Sequence, residues 1–600
     1  MTDSQKNLLY RALFFTVVIF AVYYRTLGNQ FVWDDLDVIV KNRLLEHFAN
    51  LPRLLLYEDR TGEALTGYYR PLTYLSFLLD RTIWGLNPLG FNLTNLLLHV
   101  GVTLTFSQLL LTLFQREPLA WVAPLIFALH PVANEAVNFH AGGRNTLLSA
   151  LFALLSLLFY VKRRHIPSVA CFIAAIFSKE FPLLLPGIFL LYDLAVAKER
   201  PRWTRYLPYL AATACYLGIR SFAVSKGNLL KTLQLSDNLL MVPQIVVSYL
   251  KNMLLPVHLK VIYDVQPGPA ALYTLVFLGL LGTLYAFRKR IELAGAALWF
   301  LLFLVPVCGI LPLGAALMAD RYAYFSLMGF SLAAGYLVCL LPKKGWAAVV
   351  VVICLGYAAV DLKRTAIWNN LLSLYTQMTL DAPQRSIGFT NVGMYYYERG
   401  DLVQAEKWLK ESTTKKGIVI RDALQYLSAT YWELEQYDQA LAILNRMMQA
   451  EPENPQPYIM ASKIYQAKGD AANAKLYRDK VLAKYPQLEQ MMQGRLVTLC
   501  QEGEKLAGER KFAEAERKFK EALMMNPDFV PALIDMGGLQ AEQGNPAKAL
   551  QHFLKAQRLE PGNAAIYNNM ALVYQMLGKP AEAQAAMQKF QEAEGKAQRP

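Results

Sequence analysis

Seven short clusters of ionisable and aromatic residues interrupt the apolar runs of this 600-residue chain. They are Trp33-Asp34-Asp35-Leu36-Asp37, Tyr68-Tyr69-Arg70-Pro71, His130-Pro131 through Glu135, Gly142-Gly143-Arg144-Asn145, Ser178-Lys179-Glu180, Tyr263-Asp264 and Asp320-Arg321-Tyr322. Carboxylates mixed with guanidinium and ammonium groups suit an anionic ligand handled beside an acid–base step. Charges near membrane depth are costly, so such residues are functional candidates by default. Each also has a plainer use. Asp34 and Asp35 can cap a loop helix, Arg144 and Lys179 can bridge to Glu135 and Glu180, His130 can bond a helix end beside Pro131, and Arg321 can snorkel.

The elements that must position these clusters are membrane helices. Hydrophobic residues make up 54% of the chain, and from Leu8 to Val360 they come in long runs. A crossing helix needs about 20 mostly apolar residues. Eleven candidate spans follow: 8–24, 91–114, 119–136, 145–161, 167–178, 182–196, 206–222, 269–287, 293–312, 322–341 and 346–362. The first has no small-residue cleavage site behind it and reads as a retained signal anchor. Asn238–Val257, broken by Pro243, Lys251 and Pro256, is read as not crossing. With that count, the basic groups at Lys6 and Arg11, Arg116, Lys162 to Arg164, Lys198 to Arg205, Arg288 to Arg290 and Lys343-Lys344 all fall on the cytoplasmic side. The net charge of +14 therefore reports topology, not nucleic-acid binding. All seven clusters then lie at the opposite, outer face. The long outer loop 25–90 adds two amphipathic stretches, Arg43–Leu56 and Pro71–Trp84, suited to the interface or to the bundle top.

The composition shifts after Asp361, which sets a membrane domain over 1–365, a linker over 366–387 and a repeat domain over 388–594. In the last, alanines recur at 405, 440, 474, 515, 549 and 583, with intervals of 35, 34, 41, 34 and 34 residues. Prolines at 452, 486, 527 and 561 follow the second helices. A 34-residue period with a small residue in the second helix is the tetratricopeptide (TPR) pattern, here about six repeats with a seven-residue insertion near 487–500. The fold class expected is all-α: a polytopic bundle followed by an α-solenoid whose concave face takes a peptide; on the plainer reading the array is a spacer or an oligomerisation arm.

The ordered motifs resemble the TPR-containing membrane protein O-mannosyltransferases of the GT-C glycosyltransferase class. The resemblance rests on Phe31-Val32-Trp33-Asp34-Asp35, Tyr69-Arg70-Pro71-Leu72-Thr73, Asn87-Pro88-Leu89-Gly90-Phe91 with Asn95 and His99, His130-Pro131 with Glu135-Ala136-Val137, Gly143-Arg144, Ser178-Lys179-Glu180 and Asp320-Arg321-Tyr322-Ala323-Tyr324. The chain departs at Asp320, where the family often has Glu, and at Asn138 and His140, where small residues are expected. The resemblance implies an inverting transfer of mannose or another hexose from a polyprenyl-phosphate carrier to Ser/Thr hydroxyls of exported proteins. It implies Asp34, with Asp35 second, as catalytic base. It also implies Arg144, Lys179 and Arg321 on the donor phosphate. Arg70, Tyr69, His130, Glu135, Glu180, Asp264 and Asp320 form the supporting polar site. No cofactor is required on this reading; the alternative is a divalent cation, Mg or Mn, on Asp35 and Asp37. Expected partners are the lipid-linked sugar, membrane lipid and a protein or peptide acceptor on the TPR concave face, and no nucleic acid. The expected location is a bacterial inner membrane with periplasmic site and repeats, or an endoplasmic-reticulum membrane with luminal ones. The competing readings are a GT-C enzyme acting on a lipid or glycan and a non-catalytic membrane-anchored TPR scaffold.

Overall fold

The computed structural model describes residues 3–56, 60–61, 64–65, 68–224, 235–308, 316–417 and 420–597. Residue contacts divide the chain into two compact units, Met1–Ala423 and Leu424–Pro600. Apart from one hairpin of two-residue strands, Arg60–Thr61 paired with Ala64–Leu65, the described elements are helical.

In the first unit, Gln5–Gly28, Pro88–Phe114, His140–Val161 and Gly345–Ile367 are long and apolar enough to cross a membrane. A fifth crossing results if Glu117–Leu129 and Pro131–Asn138, bent by 53°, form one span. The bend follows from Pro131, which lacks an N–H and forces His130 into an extended conformation with ψ 127°. Five shorter apolar helices, His165–Ile176, Phe181–Val196, Ala270–Ala286, Ile291–Val307 and Tyr324–Val338, add to the bundle, as does the 21-residue helix Trp203–Ala223, whose Tyr206, Tyr209 and Tyr216 are buried in its core. Each expected span falls at least in part on a helix, and among the described residues four of these helices, or five with the bent pair, are long and apolar enough to cross. A 12-residue helix such as His165–Ile176 rises only about 18 Å against a hydrocarbon core of about 30 Å. Residues 309–312 of the expected ninth span lie outside the described residues. Asn238–Val257 is largely helical, within Leu235–Leu254, despite Pro243.

The outer loop splits unevenly. Pro71–Trp84 is one helix that buries Tyr74, Phe77 and Leu78 and exposes Leu79, Ile83 and Trp84. Arg43–Leu56 is instead broken into the 3₁₀ turns Arg43–Leu45 and Phe48–Asn50 and the short helix Leu51–Leu54, because Pro52 supports only a helix start. The expected linker 366–387 is also structured. Leu371–Asp381 is a helix opened by a reciprocal Asn370/Ser373 capping box, and it packs on Ser386–Tyr397. The first unit thus runs past 365 and takes in the first repeat hairpin, Ser386–Tyr397 with Leu402–Ser412.

The second unit continues the hairpins as expected. Their second helices bury Ala440, Ala515, Ala549 and Ala583, whose small side chains let paired helices approach. The 41-residue interval has a plain cause. Helix Pro486–Gly508 has 23 residues where Pro455–Ala467 and Val530–Glu542 have 13, so the insertion is added helical length, not a loop.

Candidate active site

The Asp34 turn begins at the end of the first membrane helix. Residues 32–35 close on themselves: the Asp35 N–H donates to the Val32 carbonyl at 3.0 Å, and the Val32 N–H donates to Asp35 Oδ2 at 3.1 Å. Trp33 inside this turn has φ 53°, a left-handed conformation that costs a non-glycine residue about 1–2 kcal/mol. Its indole stacks on Phe139, with ring centroids 5.5 Å apart, and Phe139 stacks on Trp368 at 5.5 Å.

The start of helix His140–Val161 forms the other side. Asp35 Oδ1 accepts the Ala141 N–H at 2.7 Å, and Oδ2 lies 3.0 Å from His140 Nδ1. Gly142 and Gly143 are required here. A Cβ on Gly142 would come within 2.9 Å of the Arg321 side chain, and one on Gly143 would collide with the Ala136 carbonyl.

Asp34, Tyr68, Arg70, Phe139, Gly142, Lys179, Phe181, Arg321 and Tyr322 line one cavity of about 90 Å³, with Val38, Ala141, Asn145 and Val307. Each cation in it is differently supported. Arg70 pairs with buried Glu180 at 3.1 Å and lies over the Tyr68 ring at 4.0 Å. Arg321 pairs with Glu135, which also accepts the Arg321 backbone N–H at 3.0 Å. Lys179 donates to Thr146 Oγ1 at 2.8 Å, sits against the Phe181 ring at 4.6 Å and has no ion-pair partner among the described residues.

Electrostatics follow from that layout. Burial, against the pull of Arg321, raises the Asp34 carboxyl to about 6. Burial and then the charges of Arg70 and Arg321 hold the Lys179 ammonium well below its ordinary range. Burial opposes the Arg321 charge, but Glu135 outweighs it and holds the guanidinium above its usual value. The cavity is thus a cationic pocket with a carboxylate of intermediate acidity on its wall.

Several expected residues stand elsewhere. Asp35 is fully buried, with both oxygens engaged by the turn and by the helix start. Asp37 pairs with Lys41 at 3.0 Å. Arg144 is fully buried behind the site. It meets Asp80 at 2.7 Å, Asn95 Oδ1 at 2.5 Å and the Phe91 carbonyl at 3.0 Å. Tyr69 is not on the cavity wall and donates to the Leu55 carbonyl at 2.5 Å. Tyr68 takes the cavity position.

His130 bonds the Met253 carbonyl at 2.8 Å through Nε2, the helix-end role. Asp264 pairs with Arg385 at 2.7 Å, away from the cavity. Asp320 is buried against Arg364 at 2.8 Å and Tyr263 at 2.7 Å, beside Arg321 in sequence but not on the cavity wall. Burial, against Arg364, raises the Asp320 carboxyl to about 7. Asn138, set apart as a departure, accepts from Thr26 and Asn29 at 2.9 and 2.8 Å and ties the first helix to the site. Tyr68 and Tyr322 were legible only as neighbours of charged residues.

Tetratricopeptide repeat family models match residues 506–557 and 552–585. The chain is 26% identical to Protein O-mannosyl-transferase TMTC3 of Mus musculus over 93% of its own length and 64% of that protein. It is 25% identical to TMTC3 of Homo sapiens over 94% of its length and 66% of that protein. Protein O-mannosyl-transferase TMTC2 of Mus musculus is 40% identical over a segment covering 24% of this chain and 17% of that protein. The chain thus spans slightly less than two thirds of the length of the two TMTC3 relatives. Over nearly all its own length it is similar to proteins named Protein O-mannosyl-transferase, and its C-terminal part matches the tetratricopeptide repeat.

Proposed function

We propose that this chain is a membrane glycosyltransferase of GT-C type. It moves mannose, or another hexose, from a polyprenyl-phosphate carrier to Ser/Thr hydroxyls of proteins at the non-cytoplasmic face, and its TPR hairpins recruit the acceptor. The reading rests on one observation: Asp34 shares a single small cavity with Arg70, Lys179 and Arg321. The names of the relatives, protein O-mannosyl-transferases, support it.

Asp34 takes the acceptor hydroxyl proton while that oxygen attacks the anomeric carbon. The bond from that carbon to the phosphate oxygen breaks, inverting the centre, and the carrier phosphate leaves with the bonding pair. Lys179, Arg321 and Arg70 hold the negative charge that develops. Glu135 and Glu180 keep the two guanidinium groups aimed. Arg144 and Asp35 have no part in contacting substrate.

Two expected outcomes test the reading on purified protein with lipid-phosphate mannose and Ser/Thr peptides. Asp34 acts as a base only when ionised, and its carboxyl lies near 6. Hence log kcat/KM falls with unit slope below about pH 6 and is level above it; a profile flat to pH 4 would remove Asp34 as base. Lys179→Met, which keeps length and apolar contact, lowers kcat/KM for the donor about 10²-fold in initial-rate measurements. A loss under threefold would remove Lys179 from the phosphate.

A further inference from the structure

The cavity needs more than its lining residues, because Asp34 stands on a turn that a tryptophan adopts with strain. Trp33, at φ 53°, precedes Asp34, and Asp35 follows it. Both neighbours are gripped by three consecutive residues at the start of helix His140–Val161. Phe139 stacks on Trp33, His140 meets Asp35 Oδ2 through Nδ1 at 3.0 Å, and the Ala141 N–H meets Asp35 Oδ1 at 2.7 Å. Backbone supplies one of these grips and a flat ring another; only the imidazole supplies a side-chain hydrogen bond.

His140 itself is fully buried and packs edge-on against Phe31 and Phe91 at 5.5 and 6.1 Å. Its Nε2 is buried and has no hydrogen-bond partner among the described residues. A side chain wanted only for its volume would not place a polar nitrogen there. The Nδ1 contact with Asp35 is what the imidazole contributes.

We infer that His140 is a positioning residue: its Nδ1–H, donated to Asp35, fixes the direction in which the adjacent Asp34 carboxylate enters the cavity. The inference rests on the assignment of Asp34 as base. His140 touches neither substrate nor proton in transit. An error of about 1 Å in placing a reacting group costs on the order of 10²-fold in rate, so the loss is expected in kcat and not in donor affinity.

The test compares His140→Phe, which keeps a ring and removes the donor, with His140→Asn, whose amide can donate from a similar position. Asp34→Asn is run beside them, and each protein is first checked for a single monodisperse peak and for thermal unfolding in detergent. Transfer from lipid-phosphate mannose to peptide should fall 10-fold or more in kcat for His140→Phe, with donor KM within twofold. His140→Asn should return to within about threefold of wild type with the acid limb of the pH profile unmoved. Wild-type kcat in a folded His140→Phe would overturn the inference, as would loss of the acid limb in His140→Asn, which would make the imidazole a proton carrier. If His140→Phe does not fold, His140→Asn decides alone: a folded protein with kcat down 10-fold overturns the hydrogen-bond role. Full activity of Asp34→Asn would instead reject the base assignment beneath it.

Discussion

Asp34→Asn should lose 10²–10⁴-fold in kcat while becoming more stable, the two readouts moving in opposite directions. The rate loss follows from the missing base; the amide keeps the shape but cannot accept the proton. The stability gain follows from the sign of the shift. Burial raises the Asp34 carboxyl from 3.8 to about 6, so folding favours the protonated form. That contribution is present below pH 4, is lost as pH rises through 6, and leaves the ionised carboxylate as a burden at pH 7 on the order of 2–3 kcal/mol. Asparagine removes the burden. Thermal unfolding at pH 7 and pH 4 checks it: the variant should unfold higher than wild type at pH 7, and the difference should shrink at pH 4. A structural aspartate would give the reverse, destabilisation with activity lost only through unfolding.

Arg144→Met is expected to fail differently, through the fold. Its guanidinium meets Asp80, Asn95 and the Phe91 carbonyl, and it lines no part of the cavity. Removing it strands the Asp80 carboxylate, and breaking a buried pair in this way costs about 3–5 kcal/mol. Replacing both partners with apolar groups removes the stranded charge. Arg144→Met with Asp80→Leu should therefore recover most of the stability lost in the single variant. Turnover per folded molecule should stay within about threefold of wild type in both. Unfolding midpoints together with rates normalised to the monodisperse fraction separate the outcomes. A stable Arg144→Met with a donor KM raised 10-fold or more would return Arg144 to the phosphate.

The contrast between these residues bears on what could be read from sequence. The repeat hairpins were legible because a 34-residue period repeats one packing problem, and even the 41-residue interval fits as added length in helix Pro486–Gly508. The helices of the bundle were legible as apolar runs, and the clusters between them as out-of-place charges. Side-chain direction was not. Arg144 and Arg321 look alike in sequence, yet the first is enclosed by Asp80 and Asn95 and the second opens onto the cavity. Asp34 and Asp35 are adjacent, and only the Trp33 turn decides which one faces the pocket. Tyr68 and Tyr69 are adjacent too, yet only Tyr68 lines the cavity. His140 looked like a departure from a family pattern and carries a hydrogen bond to Asp35 that no local periodicity encodes. Helix length was less legible than helix position: several apolar runs form helices of 12 to 17 residues, because hydropathy registers an apolar environment and not the distance crossed.

The function proposed from Asp34, Arg70, Lys179 and Arg321 in one chamber predicts that this chain, purified and supplied with lipid-phosphate mannose, acts on a peptide hydroxyl. Mass spectrometry of Ser/Thr peptides after incubation is the direct measurement, with donor binding to the same preparation recorded alongside. A hexose on Ser or Thr with wild type, and none with Asp34→Asn although that variant still binds the donor, is the result expected. Bound donor with unmodified peptides from wild type, or equal modification by the two proteins, would contradict it.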